Sequence, residues 1–93
     1  MNRIDLKISR NVLKDEATSI AHFMAKKVID NGEASIQVED NEEEDVWDIY
    51  ISGENEFVIA RCTRGRGGRV YEYKYYREEQ MKDILYEFFK KEI

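Results

Sequence analysis

The stretch ASIQVEDNEEEDVWDIYIS (residues 34–52) contains two runs in which apolar and polar side chains alternate. The apolar members are Ala34, Ile36 and Val38 in the first run and Trp47, Ile49 and Ile51 in the second. Alternation with a period of two is what a β-strand with one buried face requires, because successive side chains point to opposite faces. The acidic segment NEEED (residues 41–45) separates the two runs, so the stretch predicts a hairpin with an acidic tip.

Two further strand-like segments follow this hairpin. The first is FVIARCT (residues 57–63), which comes after a turn signal at residues 53–55 and is rich in β-branched and aromatic side chains. The second is VYEYKYY (residues 70–76), in which three tyrosines alternate onto one face. The segment RGRGGR (residues 64–69) lies between them and predicts a hairpin loop, since glycine adopts positive φ angles without steric cost.

Two segments show helical periodicity. Apolar residues recur at spacings of three and four over Leu13, Ala17, Ile20, Ala21, Met24, Val28 and Ile29, and again over Met81, Ile84, Leu85, Phe88 and Phe89. Ser9 or Asn11 can cap the first helix, and the Asn31-Gly32 pair ends it. The second helix begins near Arg77 and has acidic residues in its first turn and lysines near its end, which complements the helix dipole.

The segment before the first helix alternates Ile4, Leu6 and Ile8 with charged residues and is predicted to be a short strand. The element order is therefore β-α-β-β-β-β-α. Consecutive strands joined by short turns form antiparallel hairpins. We therefore expect one α+β domain over residues 1–93, a two-layer sandwich in which two helices cover one face of an antiparallel sheet of four to five strands. The pattern leaves open whether the first strand joins the sheet and which face of residues 57–63 is buried.

Composition predicts a folded, cytoplasmic protein that needs no cofactor. The chain is 42% apolar and 38% charged, which is typical of globular domains. We find no apolar run near the ~18 residues of a membrane span and no secretory signal. One cysteine, Cys62, and one histidine, His22, do not make a zinc ligand set, and no catalytic or metal-binding motif is present. We expect Cys62 to be a small buried hydrophobe and His22, within the first helix, to be a boundary residue rather than a catalyst.

The net charge of −5 conceals two segments of opposite sign. The acidic loop, formed by Glu42, Glu43, Glu44 and Asp45, lacks the alternate carboxylates and the glycine of a calcium loop. It is either a solvated hairpin end or an electrostatic docking patch for a partner. The arginine loop, formed by Arg64, Arg66 and Arg69, is either a solvated turn or a site that binds phosphates or a partner.

The sheet face opposite the helices is the third candidate site. If the helices cover Trp47 and the alternating tyrosines, that face carries Val46, Tyr50 and Tyr76, together with either Phe57 and Ile59 or Val58 and Ala60. These side chains are too apolar for a face that contacts only water, and such patches commonly mark protein interfaces. We select Tyr50, Phe57 and Tyr76 as partner-binding anchors.

These features favour a small non-enzymatic binding protein that acts by protein–protein contact. Small acidic proteins of this type serve phages and other mobile elements as inhibitors of host defence nucleases, and here the acidic loop would imitate nucleic acid toward a basic groove. The first alternative is an RNA- or DNA-binding module that uses the arginine loop. Its outline resembles double-stranded-RNA-binding domains, although the final helix begins with REEQ (residues 77–80) where that family has basic residues. The second alternative is a homo-oligomer, such as a homodimer, that packs the open sheet face against itself.

Overall fold

The computed structural model of the chain describes residues 4–39, 44–62 and 68–93. It contains the strands β1 (Ile4–Ser9), β2 (Glu33–Glu39), β3 (Glu44–Gly53), β4 (Glu56–Arg61) and β5 (Val70–Lys74), and the helices α1 (Arg10–Asp15), α2 (Ala17–Asn31) and α3 (Glu78–Lys91). The expected α+β class and element order are confirmed. The first predicted helix is divided at Glu16 into α1 and α2.

The five strands form one sheet in the order β1-β2-β3-β4-β5. Neighbours from β2 to β5 pair antiparallel, as consecutive hairpins require. β1 is an edge strand and pairs parallel with β2, from Ile4 opposite Ala34 to Ser9 opposite Glu39. The parallel pair arises because α1 and α2 carry the chain back to the end of the sheet where β1 began. The sheet therefore has five strands and is mostly, but not wholly, antiparallel.

The core lies between one face of the sheet and the helices α1, α2 and α3. Its sheet side is formed by Ala34, Ile36, Val38, Trp47, Ile49, Phe57 and Ile59, and its helix side by Leu13, Met24, Val28, Met81, Leu85, Phe88 and Phe89. Trp47 packs edge-on against Phe88, with ring centroids 4.9 Å apart. The half-buried Tyr71, Tyr73 and Tyr75 extend this core toward the β5 edge, where the alternation in VYEYKYY placed them.

The helix ends follow the signals in the sequence. The Ser9 hydroxyl accepts a hydrogen bond from the backbone N–H of Val12 at 3.2 Å, which caps α1. Gly32 ends α2 in the left-handed conformation with a φ of 84°, and its N–H donates to the Val28 carbonyl at 2.7 Å. At the start of α3, the Gln80 side chain accepts from the backbone N–H of Tyr76 at 2.6 Å, which anchors the turn between β5 and this helix.

None of the helices in the described ranges combines the length and the hydropathy needed to cross a lipid bilayer.

Candidate protein-binding face

The open face is the side of the sheet opposite the helices, and its centre is apolar. Tyr50 lies directly opposite Val58, and Ala60 lies directly opposite Val70. Val46 occupies the same face of β3 as Tyr50, because side chains two residues apart share a face. We name Val46, Tyr50, Val58, Ala60 and Val70 the open-face patch. The helices pack against the other face, so no helix in the described part of the chain covers this patch.

Exposure varies across the open-face patch. Val70 is 58% exposed and Tyr50 is 36% exposed, whereas Val58 is only 4% exposed. Val58 lies on the inner strand β4, where the side chains of both neighbouring strands shield it. The patch thus combines accessible apolar side chains at its rim with a filled centre, which is the form of an apolar contact surface rather than of a ligand pocket.

Cys62 and Asp48 lie beside the open-face patch. The Cys62 thiol donates a hydrogen bond to Asp48 Oδ2 at 3.0 Å, and the cysteine is exposed. The expectation that Cys62 is a buried hydrophobe is therefore wrong. The backbone N–H of Cys62 donates to the Val46 carbonyl at 2.7 Å, which holds this residue against β3 just beyond the end of β4.

Carboxylates surround the open-face patch. The strand register places Asp5, Glu33, Glu39, Glu44, Asp48, Glu56 and Glu72 on the open face, but only Lys7 and Lys74 among the lysines. Glu39 forms an exposed ion pair with Lys7 at 3.1 Å. The hydrogen bond and the negative charge of Glu39 raise the pKa of Lys7 above its usual 10.5. The remaining carboxylates give the described part of the open face a negative charge.

The structure corrects one of the three predicted anchors. Phe57 pairs with Ile51 and faces the helices, where it is fully buried and stacks on Tyr73 at a centroid distance of 5.2 Å. It cannot contact a partner from this position. Tyr50 lies on the open face, and Tyr76 is 70% exposed just beyond β5. Their role in binding stays a prediction.

The acidic loop is only partly described, and its described end differs from the expectation. Glu42 and Glu43 lie outside the described residues, and Glu44 is an exposed residue at the start of β3. Asp45 faces the helix layer and is 8% exposed. It accepts hydrogen bonds from Arg61 at 2.7 Å and from Arg10 at 3.3 Å. Asp45 is therefore an internal ion-pair partner, and its assignment to a docking loop is wrong.

The buried carboxylate of Asp45 joins three parts of the fold. Arg10 begins α1 and also donates to the backbone oxygen of Ile93 at 2.8 Å. Arg61 ends β4, and its guanidinium lies 5.9 Å from the ring centroid of Trp47. The cluster of Arg10, Asp45 and Arg61 thus ties α1, β3 and β4 together beside the end of the chain.

The arginine loop is described only at its end. Arg64 and Arg66 lie outside the described residues, and Arg69 is exposed. The Arg69 carbonyl accepts from the backbone N–H of Arg61 at 2.8 Å, which continues the β4–β5 ladder. A side chain at Gly68 would collide with the Arg61 carbonyl oxygen, so this glycine permits a close backbone approach.

Other candidate sites are shallow. A depression of about 320 Å³ on the open face is lined by Asp5, Lys7, Ser35, Gln37 and Val46. A second groove, of about 380 Å³, lies between β5 and α3 and is lined by Tyr73, Ile84, Glu87 and Phe88. His22 is exposed on α2. Within the described ranges, no group of three His, Cys, Asp or Glu side chains is placed to hold a metal ion.

Comparison of the chain with protein-family models, with curated proteins and with solved structures found no match.

Proposed function

We propose that this chain is a small binding protein that contacts a partner protein through its open sheet face. The observation that carries the proposal is an apolar patch on a sheet face that no described helix covers, with Tyr50 and Val70 accessible at its rim and carboxylates around it. Interfaces typically combine an apolar centre with a polar rim, and tyrosine is enriched among the residues that contribute most to binding.

The negative charge of the open face defines the partner's chemistry. A surface bearing Glu33, Asp48 and Glu72 repels phosphate groups and attracts lysine and arginine side chains. The partner surface is therefore basic, with an apolar centre. A nucleic-acid-binding groove has such a basic surface, and this supports inhibition of a nuclease by occupation of its groove as the more specific form of the proposal. The sheet face, rather than the 42–45 loop, would then meet the groove.

Site-specific photo-crosslinking tests which face binds. A photoreactive phenylalanine analogue is placed either at Tyr50 on the open face or at Phe23 on the outer side of α2, two aromatic positions with similar exposures of 36% and 39%. Each protein is incubated with a panel of purified nucleases and other nucleic-acid-binding proteins. The proposal expects crosslinks to a basic partner from position 50 and none from position 23.

Charge reversal provides the matched control. Glu33→Lys and Glu72→Lys change the open face, whereas Asp15→Lys and Asp30→Lys make the same charge change on the helices. Reversal on the open face should weaken binding at least tenfold and reduce its salt sensitivity, since oppositely charged surfaces steer association. Equal effects of both pairs, or crosslinks from position 23 alone, would refute the proposed face.

Nucleic-acid binding by the arginine loop stays the alternative prediction. Fluorescence anisotropy of labelled single- and double-stranded RNA and DNA, measured over a salt series, tests it with an Arg64/Arg66/Arg69→Ala variant. Binding that weakens steeply with salt and disappears in this variant would favour the alternative, because phosphate contacts release counterions. No binding at low salt would leave the arginine loop without a role in phosphate recognition.

A further inference from the structure

The outer edge of β5 is free of any described strand, since β5 is the last strand of the sheet. The backbone N–H of Arg61 bonds to the Arg69 carbonyl, and the backbone N–H of Tyr75 bonds to the Asn55 carbonyl at 3.0 Å. Residues 69, 71, 73 and 75 therefore direct their backbone groups toward β4. Because this direction alternates along a strand, Val70, Glu72 and Lys74 direct theirs outward from the sheet. Such an edge can pair with another strand.

The side chains along this edge are self-complementary. In an antiparallel pair of two β5 strands with the two-fold axis at Tyr73, Glu72 of each copy lies opposite Lys74 of the other. Both are hydrogen-bonded pairs, so the two copies exchange four backbone hydrogen bonds. Val70, at the start of β5, and Tyr76, in the turn after it, are the most exposed large apolar side chains among the described residues, at 58% and 70%. Opposite-charge pairs across strands are favourable.

The two neighbouring symmetric registers are less favourable. An axis at Glu72 would place Glu72 opposite its own copy, and an axis at Lys74 would place Lys74 opposite its own copy. Charged residues on an edge strand ordinarily prevent pairing. Here the two charges have opposite signs and are two residues apart, so the register with its axis at Tyr73 matches both of them.

A groove lies on the helix side of this edge. Tyr73 lies on the helix side of β5, and the groove beside it is lined by Ile84 and Phe88 of α3. With the axis at Tyr73, the two tyrosines become a directly opposed pair next to this groove. The second strand therefore adds aromatic contact on one face and charge pairs on the other.

We propose that the protein forms a homodimer by antiparallel pairing of two β5 edges about a two-fold axis at Tyr73. The dimer has one continuous ten-stranded sheet, twice the five strands of each copy. Its interface is short, so the dissociation constant lies in the micromolar to millimolar range. The open face remains accessible in both copies, and the dimer does not rest on the proposed partner binding.

A charge swap tests both the edge and the register. Sedimentation equilibrium is measured from about 10 µM to about 1 mM for the wild type, E72K, K74E and the double variant E72K/K74E. Each single reversal creates two like-charge pairs and should raise the dimer dissociation constant at least about tenfold. The double variant restores both opposite-charge pairs and should regain the wild-type constant. Glu33→Lys is the matched control, since Glu33 lies on the open face away from this edge.

Disulfide formation gives a second readout of the register. In a Cys62→Ser background, thiols introduced by Tyr73→Cys lie directly opposite each other, with a Cα–Cα distance of about 4.5 Å, which a disulfide can span. Thiols introduced by Lys74→Cys are offset by two residues and should crosslink more slowly.

Three outcomes would overturn the dimer model. The first is a monomer throughout the concentration range. The second is a dimer that E72K and K74E leave unchanged, which would place the contact elsewhere. The third is failure of the double variant to dimerise while its urea unfolding matches that of the wild type, because the proposed register predicts its recovery.

Discussion

Asp45→Asn tests the internal ion-pair cluster directly. The substitution keeps the size of the side chain and removes its charge. Arg61, at 2.7 Å, and Arg10, at 3.3 Å, then lose their shared carboxylate and face each other as two like charges. The hydrogen bond from Arg10 to the backbone oxygen of Ile93 remains, but the carboxylate that offset part of the positive charge of the two arginines is gone.

The partial burial of the Asp45 cluster sets the magnitude of the expected loss of stability. An exposed ion pair contributes about 0–1 kcal/mol to stability, whereas removal of one partner from a fully buried pair costs about 3–5 kcal/mol. The Asp45 side chain is 12% exposed, and the two arginine side chains are 22% and 27% exposed. We therefore expect Asp45→Asn to lower the free energy of unfolding by about 2 kcal/mol. This is a large share of the ~5–15 kcal/mol typical of a single domain.

Urea unfolding followed by tryptophan fluorescence measures this loss. Trp47 is the single tryptophan and is 3% exposed, so its emission reports loss of the core. Because the slope of stability against urea is about 1–3 kcal/mol per molar, the midpoint should fall by roughly 1 M. Circular dichroism supplies a second probe, since Arg61 lies close enough to the Trp47 ring to alter its fluorescence.

Glu39→Gln is the matched control, because it removes the exposed ion pair with Lys7. Lys7 is 64% exposed and Glu39 is 39% exposed, so solvent screens this pair and the midpoint should move much less. If Asp45→Asn shifted the midpoint no more than Glu39→Gln does, the Asp45 cluster would not contribute to stability as its burial implies, and the reasoning would be refuted.

Three further predictions concern Tyr73, Cys62 and Gly32. Burial, with a smaller contribution from Glu92, raises the pKa of Tyr73 above 10.0. The stability that the neutral phenol contributes to the folded state is therefore present below about pH 10 and is lost as pH rises through the folded-state pKa. Tyr73→Phe should therefore flatten the alkaline fall in melting temperature, and parallel profiles would contradict this. Cys62 should react with a disulfide reagent in the folded protein. Asp48→Asn should speed this reaction about fivefold, because it removes a negative charge 3.0 Å from the Cys62 Sγ. Equal reaction rates for the variant and the wild type would contradict this contact. Gly32→Ala should lower the free energy of unfolding, measured by urea titration, by about 1 kcal/mol. The cost comes from the backbone alone, because Gly32 has a φ of 84° and no atom within 4 Å would obstruct a Cβ. An unchanged unfolding midpoint would show that alanine is not strained at this position.

Elements with one buried face could be predicted from the sequence. The alternation in residues 34–38 and 47–51 predicts the β2–β3 pair, whose register places Ile36 opposite Trp47. The helical spacing likewise predicts α2 and α3, and Gly32 marks the end of α2. In each of these strands and helices, the local pattern and the tertiary packing select the same buried face, so the sequence pattern alone is enough to predict the element.

Which face of β4 is buried could not be predicted in the same way. Residues 57–60 read FVIA, so both faces of the strand are apolar and the period-two signal vanishes. The facing is set by the pairing of Ile49 with Ile59, which is a contact between strands rather than a property of one segment. This pairing puts Phe57 in the core and leaves Val58 and Ala60 for the open face. The apolar run itself was the signal that both faces of this strand contact apolar partners.

The charge runs in the sequence led to a wrong role for Asp45, because residues that are distant in the sequence can be neighbours in the fold. Asp45 ends an acidic run and Arg61 begins a basic one, yet β3 and β4 bring them within 2.7 Å, where they neutralise each other inside the fold. Among the described residues, the strand faces therefore decide where charge collects. Carboxylates spread over four strands, such as Asp5, Glu33, Asp48 and Glu72, fall on one face through the register alone. A partner that senses this field should respond to Glu33→Lys and Glu72→Lys, although the two residues lie 39 positions apart in the sequence.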